Sequence, residues 1–194
     1  MQQNLKILVI DESPVRAAIL MDGLREAGQA LVEWISETTD LLARISAIDP
    51  DVVLIDLENP NRDVLEQMFQ VSREVKRPIA MFVDQSESSM IAASVDAGVS
   101  AYVVDGLRKE RVKPILDMTV SRFNAFSKLQ DELHEARSAL AERKTIDRAK
   151  GILMKQRGIS EEAAYAMLRK AAMNQNRKIA EIAASVVSAA ELLK

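Results

Sequence analysis

The chain has 194 residues, 48% hydrophobic and 28% charged, a globular balance that allows one ordinary domain plus a smaller one, or two small domains. It has no cysteine and a single histidine, His134, which excludes a disulfide scaffold, a thiolate zinc site, a cysteine nucleophile and a histidine zinc cluster, and argues against a Ser-His-Asp triad. The net charge of −3 is unevenly spread: residues 1–118 carry 12 Lys+Arg against 20 Asp+Glu, residues 119–141 carry 3 against 3, and residues 142–194 carry 11 against 6.

An acidic front and a basic tail suggest two tasks, the tail suiting an anionic partner, although charge runs also serve as solvated faces. No apolar run reaches the roughly 18 residues of a membrane span. MQQNLKILVID runs straight into a strand-like segment without a leader, so the expectation is a cytoplasmic protein. Leu5–Ile10 is a short, branched apolar run, and so are Val52–Ile55, Ile79–Val83 and Ala101–Val104. Each suits a strand buried on both faces, with Leu31–Ile35 a weaker fifth. Helix-length stretches separate them. Ser13-Pro14 reads as a cap and a first-turn proline opening a helix that ends near Gly28. Asn61–Glu74 and Glu87–Ala97 are further helices, the second stopped by Gly98. Strands alternating with helices predict a parallel, doubly wound sheet whose functional groups gather at strand C-termini.

Acidic residues occupy those ends. Asp11 and Glu12 follow the first strand and Asp56 the third. If these strands are neighbours, the three acids converge, and close like charges need a cation or a proton. Oxygen ligands alone suit Mg²⁺; helix capping is the alternative use for each acid singly. With these acids in these places, residues 1–118 resemble a response-regulator receiver domain, the flavodoxin-like α/β fold with a five-stranded parallel sheet in the order 2-1-3-4-5. The resemblance makes Asp56 the phosphoacceptor-like residue, Asp11-Glu12 the acidic pair for Mg²⁺, and Tyr102 the switch aromatic. Two positions depart from the family pattern. Val83 stands where the family has Ser or Thr, and it has no hydroxyl to donate. Asp105 stands where the family has lysine, and adds an anion to a crevice already holding three. Both disfavour phosphoryl charge, so the expectation is a pseudo-receiver that binds a partner protein.

Between Gly106 and Gly151 there is no glycine, and Pro114 comes early enough for a first helical turn. Phe126, Leu129, Leu133, Ala136 and Leu140 step by three and four, a heptad seam of about two repeats. It suits a coiled-coil dimer or packing on the preceding domain. His134 falls beside the seam, on the surface. Residues 142–194 read as three short helices. Ile146, Ala149 and Leu153 line the first. Gly158 stops it, and Ser160 caps the second, with Glu161 and Glu162 in its first turn. Ala164, Met167, Leu168 and Ala171 line the second. A turn at Asn174–Arg177 leads to a third, lined by Ile179, Ile182, Ala183, Val186, Ala190 and Leu193.

The ordered segment ERKTIDRAKGILMKQRGISEEAAYAMLRKAAM is very similar to the ANTAR domain, carried by Ala149-Lys150-Gly151, Ser160-Glu161-Glu162-Ala163, Ala164-Tyr165, Leu168-Arg169 and Ala172-Met173. That resemblance implies an RNA-binding output that reads paired stem-loops in leader RNA, naturally as a dimer. Lys144, Arg148, Lys150, Lys155, Arg157, Arg169, Lys170, Arg177 and Lys178 supply cations for phosphate. Tyr165 is the one aromatic of this segment. It can stack a splayed base or pack a helix interface. Arg169 shares its face at i+4. Across the whole chain, Pro60–Val64, Arg77–Phe82 and Ala97–Gly106 resemble the NasT-type antiterminators of nitrate and nitrite assimilation, within the AmiR/NasR superfamily. That resemblance implies control by a sensor protein of the NasS type.

The expected organisation is a receiver-like domain (1–118), a helical linker with a coiled-coil seam (119–141) and a three-helix, all-α ANTAR domain (142–194). No nucleophile-base pair or phosphate loop is visible, so the chain is expected to be a regulator, not an enzyme, needing no cofactor beyond Mg²⁺ in the acid pocket. The alternatives are a phosphorylation-switched two-component regulator with the same output and, less favoured, a DNA-binding one.

Overall fold

The computed structural model describes residues 4–105 and 107–192 and divides into two compact units, Met1–Ser127 and Lys128–Lys194. In the first, the strands are β1 (Lys6–Asp11), β2 (Leu31–Ile35), β3 (Val52–Leu57), β4 (Ile79–Val83) and β5 (Ala101–Val104). The intervening helices are α1 (Pro14–Glu26), α2 (Leu41–Ile48), α3 (Arg62–Glu74) and α4 (Ser88–Asp96). The strands form one parallel sheet in the order β2-β1-β3-β4-β5, as the alternating pattern and the receiver resemblance predict.

Alternation along each strand divides the core between the two faces of this sheet. Leu8, Ile10, Val53, Ile55, Ile79, Met81 and Val83 pack under α2, α3 and α4, against Leu41, Ile45, Leu65, Met68 and Phe69. Ile7, Val9, Val52, Leu54, Ala80 and Phe82 pack under α1 and the start of the next helix, against Ala17, Leu20, Leu24, Val112 and Leu116. Burial on both faces is why β1, β3 and β4 read as unbroken apolar runs. β2 lies at the sheet edge with Leu31 and Trp34 exposed, which explains its weaker signal.

Local details differ from expectation. Pro14 opens α1, but the Ser13 hydroxyl makes no capping bond; its backbone N–H instead donates to Asp11 Oδ1 at 2.8 Å. Asn61 is the cap of α3 and not its first residue: its Oδ1 accepts from the Val64 N–H at 2.9 Å. Gly98 follows α4 with φ +81°, a left-handed conformation that favours glycine.

The long helix α5 runs Lys109–Arg157 without a break. The first of the three expected short helices is thus its C-terminal stretch, and Gly151 is absorbed inside it. Pro114 is its sixth residue, beyond the first turn, so the carbonyl of Glu110 lacks its usual helical donor. Phe126, Leu129, Leu133 and Leu140 are all exposed. α6 (Glu161–Gln175) and α7 (Ile179–Leu192) complete the second unit. Ser160 caps α6, its side chain accepting from Ala163 N–H at 3.2 Å. The core of this unit is Ala149, Leu153, Ala164, Leu168, Ala172, Ile182, Ala183 and Val187. Fully buried Ala149, Ala164 and Ala183 let the helices approach closely. Val187 is more deeply buried than the expected Val186; Leu193 lies outside the described residues.

Close packing is also visible where α1 meets α5. A Cβ on Gly23 would lie 2.7 Å from Val112 Cγ2 and 3.0 Å from the Lys109 carbonyl oxygen. Gly23→Ala should therefore lower the urea midpoint of the receiver unit. An overpacking cost of about 1–3 kcal/mol opposes a helix-propensity gain of about 1 kcal/mol. Combining it with Val112→Ala should restore more stability than the single effects predict; additive effects would contradict the close approach.

Candidate functional site

Strand parity assembles the acid pocket. Asp11 and Asp56 are register partners in β1 and β3. They continue the face that carries Val9 and Leu54, the face covered by α1. Asp84, just after β4, continues the same alternation beyond Phe82. Asp11 and Asp56 are almost completely buried, at 3% and 2% exposure. Three carboxylates thus end three adjacent strands beneath the first turn of α1.

That turn supplies the cation. Arg16 precedes buried Ala17 and lies one turn before Leu20, so it is directed toward the sheet. Its Nε donates to Asp56 Oδ2 at 2.7 Å and its Nη2 to Asp56 Oδ1 at 2.8 Å, a bidentate fork. Nη1 and Nη2 also reach Asp84 Oδ2 and Oδ1, at 3.2 and 3.0 Å. Hydrogen bonding to Asp56, and then to Asp84, holds the guanidinium pKa above its ordinary value. Neither Arg16 nor Asp84 is singled out by sequence motif; the usable signal was their shared face.

The remaining acids differ. Asp11 Oδ1 accepts from Ser13 N–H, while its buried Oδ2 receives no donor among the described residues and has the Asp56 carboxylate as its polar neighbour. Burial, reinforced by the charge of Asp56 and opposed by Ser13 and Arg16, raises the Asp11 pKa to about 6. Glu12 is exposed and meets Thr38 Oγ1 at 3.4 Å. A cleft of about 390 Å³ opens beside them, lined by Asp11, Glu12, Asp56, Asn59 and Pro60 among others. Mg²⁺ does not fit this arrangement. Both oxygens of Asp56 are committed to Arg16, Glu12 turns to Thr38, and among the described residues no group of three His, Cys, Asp or Glu is placed to hold a metal ion.

Val83 is buried in the opposite-face cluster with Ile55 and Leu57 and presents no hydroxyl to the pocket. Asp105 is exposed at φ +49°; its backbone N–H donates to the Val83 carbonyl at 2.9 Å. It borders a second concavity with Arg16, Asp84 and Arg108. The Tyr102 hydroxyl lies 2.8 Å from Ser86 Oγ, and its ring centroid 6.3 Å from that of Phe69.

The second unit sorts its cations by pairing. Lys150, with a side chain only 15% exposed, reaches Asp147 at 2.7 Å and Glu161 at 2.6 Å. The hydrogen bonds it donates to these acids, Asp147 first, raise its pKa, and Lys150 lowers that of Asp147. Arg148 pairs with Glu191 at 2.6 Å and Arg177 with Glu181 at 3.0 Å. Lys144, Lys155, Arg157, Arg169, Lys170 and Lys178 are exposed and have no acidic partner among the described residues. On α6, Tyr165, Arg169 and Met173 recur every fourth residue and are all exposed, so they form one ridge. It runs into a concavity lined by Arg169, Met173, Asn176, Arg177 and Lys178.

The sheet order, the acid pocket and the basic helical unit together define a receiver-type regulator with a separate output unit. The response regulator receiver domain family matches residues 7–117, and the chain belongs to that family. Residues 134–187 match the ANTAR domain. The chain is similar to the transcriptional regulatory protein PdtaR of Mycobacterium tuberculosis, at 26% identity over 180 residues, 91% of this chain and 88% of that protein. It is 28% identical over 163 residues to the nitrate regulatory protein of Klebsiella oxytoca, covering 84% of this chain but 35% of that protein. Protein-glutamate methylesterases match over a shorter span, in Rhodopseudomonas palustris 60% of this chain and 34% of the enzyme. Among solved structures, a putative pilus assembly-related protein of Burkholderia pseudomallei aligns with a TM-score of 0.55 at 20% identity, over 63% of this chain and 93% of that one. A Thermotoga maritima response regulator aligns with a TM-score of 0.50 at 18% identity, over 59% and 96%. No helix among the described residues is long and apolar enough to cross a membrane.

The Asp11 shift has a measurable sign. Unfolded, Asp11 titrates near its ordinary 3.8; folded, near 6. Between these values the folded chain holds a proton that the unfolded chain has lost, so this contribution to stability is complete below the lower value and lost as pH rises through the upper. Asp11→Asn should therefore gain stability relative to wild type as pH rises from about 4 to about 6.5. Urea midpoints measured across that range test it; a pH-independent difference would contradict the burial-driven shift.

Proposed function

We propose that this protein is an RNA-binding transcription antiterminator. Its ANTAR unit binds paired stem-loops in a leader RNA and so permits read-through, with nitrate or nitrite assimilation genes as the controlled set. The observation that carries this is the α6 ridge of Tyr165, Arg169 and Met173, set among unpaired cations within the ANTAR match. RNA loop recognition needs flat or guanidinium surfaces for splayed bases beside cations for phosphate, and this ridge offers both. Similarity to a nitrate regulatory protein over most of this chain supports the choice of genes.

Control comes from a sensor protein of the NasS type, released by its small ligand, and not from phosphorylation. Two features support this. Asp56 has both carboxylate oxygens held by Arg16, and Val83 presents no hydroxyl for a phosphoryl oxygen. The active species is a homodimer joined through the exposed stripe of Phe126, Leu129, Leu133 and Leu140 on α5, whose three-and-four spacing is that of a coiled-coil seam. The protein works in the cytoplasm, where leader RNA is made.

Binding of the full chain to a two-stem-loop leader RNA, beside a loop-scrambled RNA of equal length and matched duplex DNA, tests the function across a salt series. The intact loops should be preferred, with the preference persisting as salt rises. Tyr165→Ala should weaken binding by the roughly 1–3 kcal/mol of a lost base stack. Lys170→Ala should weaken both RNAs alike and reduce the salt slope by about 0.7. Equal affinity for both RNAs that vanishes with salt would reduce the surface to a basic patch. Tighter binding to duplex DNA would overturn the RNA assignment.

A further inference from the structure

We propose that Arg16 is the resident counterion of the acid pocket, occupying with its guanidinium the place a divalent cation would need. The receiver unit would then hold its carboxylates together without metal. Four observations on one face of the sheet lead there. Asp56 is buried and its two oxygens are both taken by the Arg16 fork. The same guanidinium is shared with Asp84, whose side chain remains partly exposed. Asp11, next to Asp56 in the sheet, receives no donor at its buried Oδ2 and feels the charges of both Asp56 and Arg16. Arg16 itself is largely buried, with 17% of its side chain exposed, so it is a fixed part of the pocket.

Charge arithmetic favours this arrangement. Asp11, Asp56 and Asp84 gather at the ends of three adjacent strands, and at short range in a partly desolvated site each added anion is strongly disfavoured. A guanidinium offers five donors in a planar fork and cannot lose its proton. It therefore stays charged at all physiological pH values and serves Asp56 and Asp84 at once. A Mg²⁺ ion would have to displace the fork from Asp56 or bind beside it against its positive charge. Asp84 strengthens the arrangement, because it gives the outer edge of the guanidinium an acceptor of its own.

The inference rests on the receiver assignment, and it gives the phosphorylation-independent control proposed above a physical cause. Its test is separate from RNA binding. Trp34 is the chain's one tryptophan, and its Nε1 donates to the Asp11 backbone carbonyl at 3.0 Å, so its fluorescence reports the pocket directly. The full chain and its variants are titrated with MgCl₂ and MnCl₂, following Trp34 emission and Tm. Wild type should show no saturable change. Arg16→Met keeps much of the side-chain volume but removes the charge. It should bind the ions in the millimolar range, at least about tenfold more tightly than wild type, and its Tm should rise with metal. Adding Asp56→Asn to Arg16→Met should abolish that gain. Arg16→Lys, which keeps a charge but loses the fork, should resemble wild type in metal response and serves if Arg16→Met does not fold. Saturable Mg²⁺ binding by wild type would overturn the proposal and leave RNA recognition untouched. So would a folded Arg16→Met that stays indifferent to metal, or an Arg16→Lys that binds Mg²⁺ readily. Loss of loop-specific RNA binding, conversely, would leave the counterion standing.

Discussion

A carboxylate completely enclosed by protein must have its charge answered on the spot, and the Asp56 side chain is one. The fork from Arg16 supplies that answer. A buried ion pair contributes little net stability, because desolvation of both partners offsets their attraction. Removing one partner is another matter, typically costing about 3–5 kcal/mol because the other charge is stranded. The pair therefore acts as a constraint. It fastens the first turn of α1 to the end of β3 and to the residue after β4. Asp11 feels the same enclosure with only partial compensation, and its raised pKa is the measure of the difference.

Much of the receiver fold could be read from residue order. Runs such as Lys6–Asp11 and Ile79–Val83 are buried on both faces, and five or six residues between turn signals is the length of a strand and too short for a buried helix. β2 was fainter because an edge strand need bury little: Leu31 and Trp34 can remain exposed. The meeting of Asp11 and Asp56 followed from strand adjacency. Arg16 did not emerge, since an arginine in a first helical turn looks like a surface residue when only its neighbours are considered. The information was present in two periodicities. Asp11, Asp56 and Asp84 share the parity of Val9, Leu54 and Phe82, and Arg16 shares a helix face with Leu20. Only their superposition places the guanidinium over the acids. Val83 has no hydroxyl, and the residue after it, Asp84, makes the contact with Arg16.

The second unit shows a different limit. Its helices were legible from Ser160, Gly158 and the apolar spacing, and its close packing from alanines such as Ala149, Ala164 and Ala183. Which cations remain available was not legible. Lys150 and Glu161 are eleven residues apart and Arg148 and Glu191 forty-three, yet each pair is in contact. Pairing across helices depends on tertiary register, which a basic sequence does not specify. After those pairs form, the unpaired cations concentrate meaning at Arg169 and Lys170, beside Tyr165.

The two units therefore resolve opposite charge problems in opposite ways. The acidic unit turns its central charge inward and answers it with its own arginine, so that part of its charge projects little field. The basic unit answers some cations locally and leaves others in water, where exposed pairs contribute little to stability but free cations can meet an anionic ligand. Parity explains why the first arrangement persists once Asp56 is present. Any carboxylate at that position of β3 is delivered to the α1 face beside Asp11, and something positive must meet it there. Supplying the charge from α1 meets that demand with a side chain of the same unit, so the helix that covers this face of the sheet also carries the charge that the face requires.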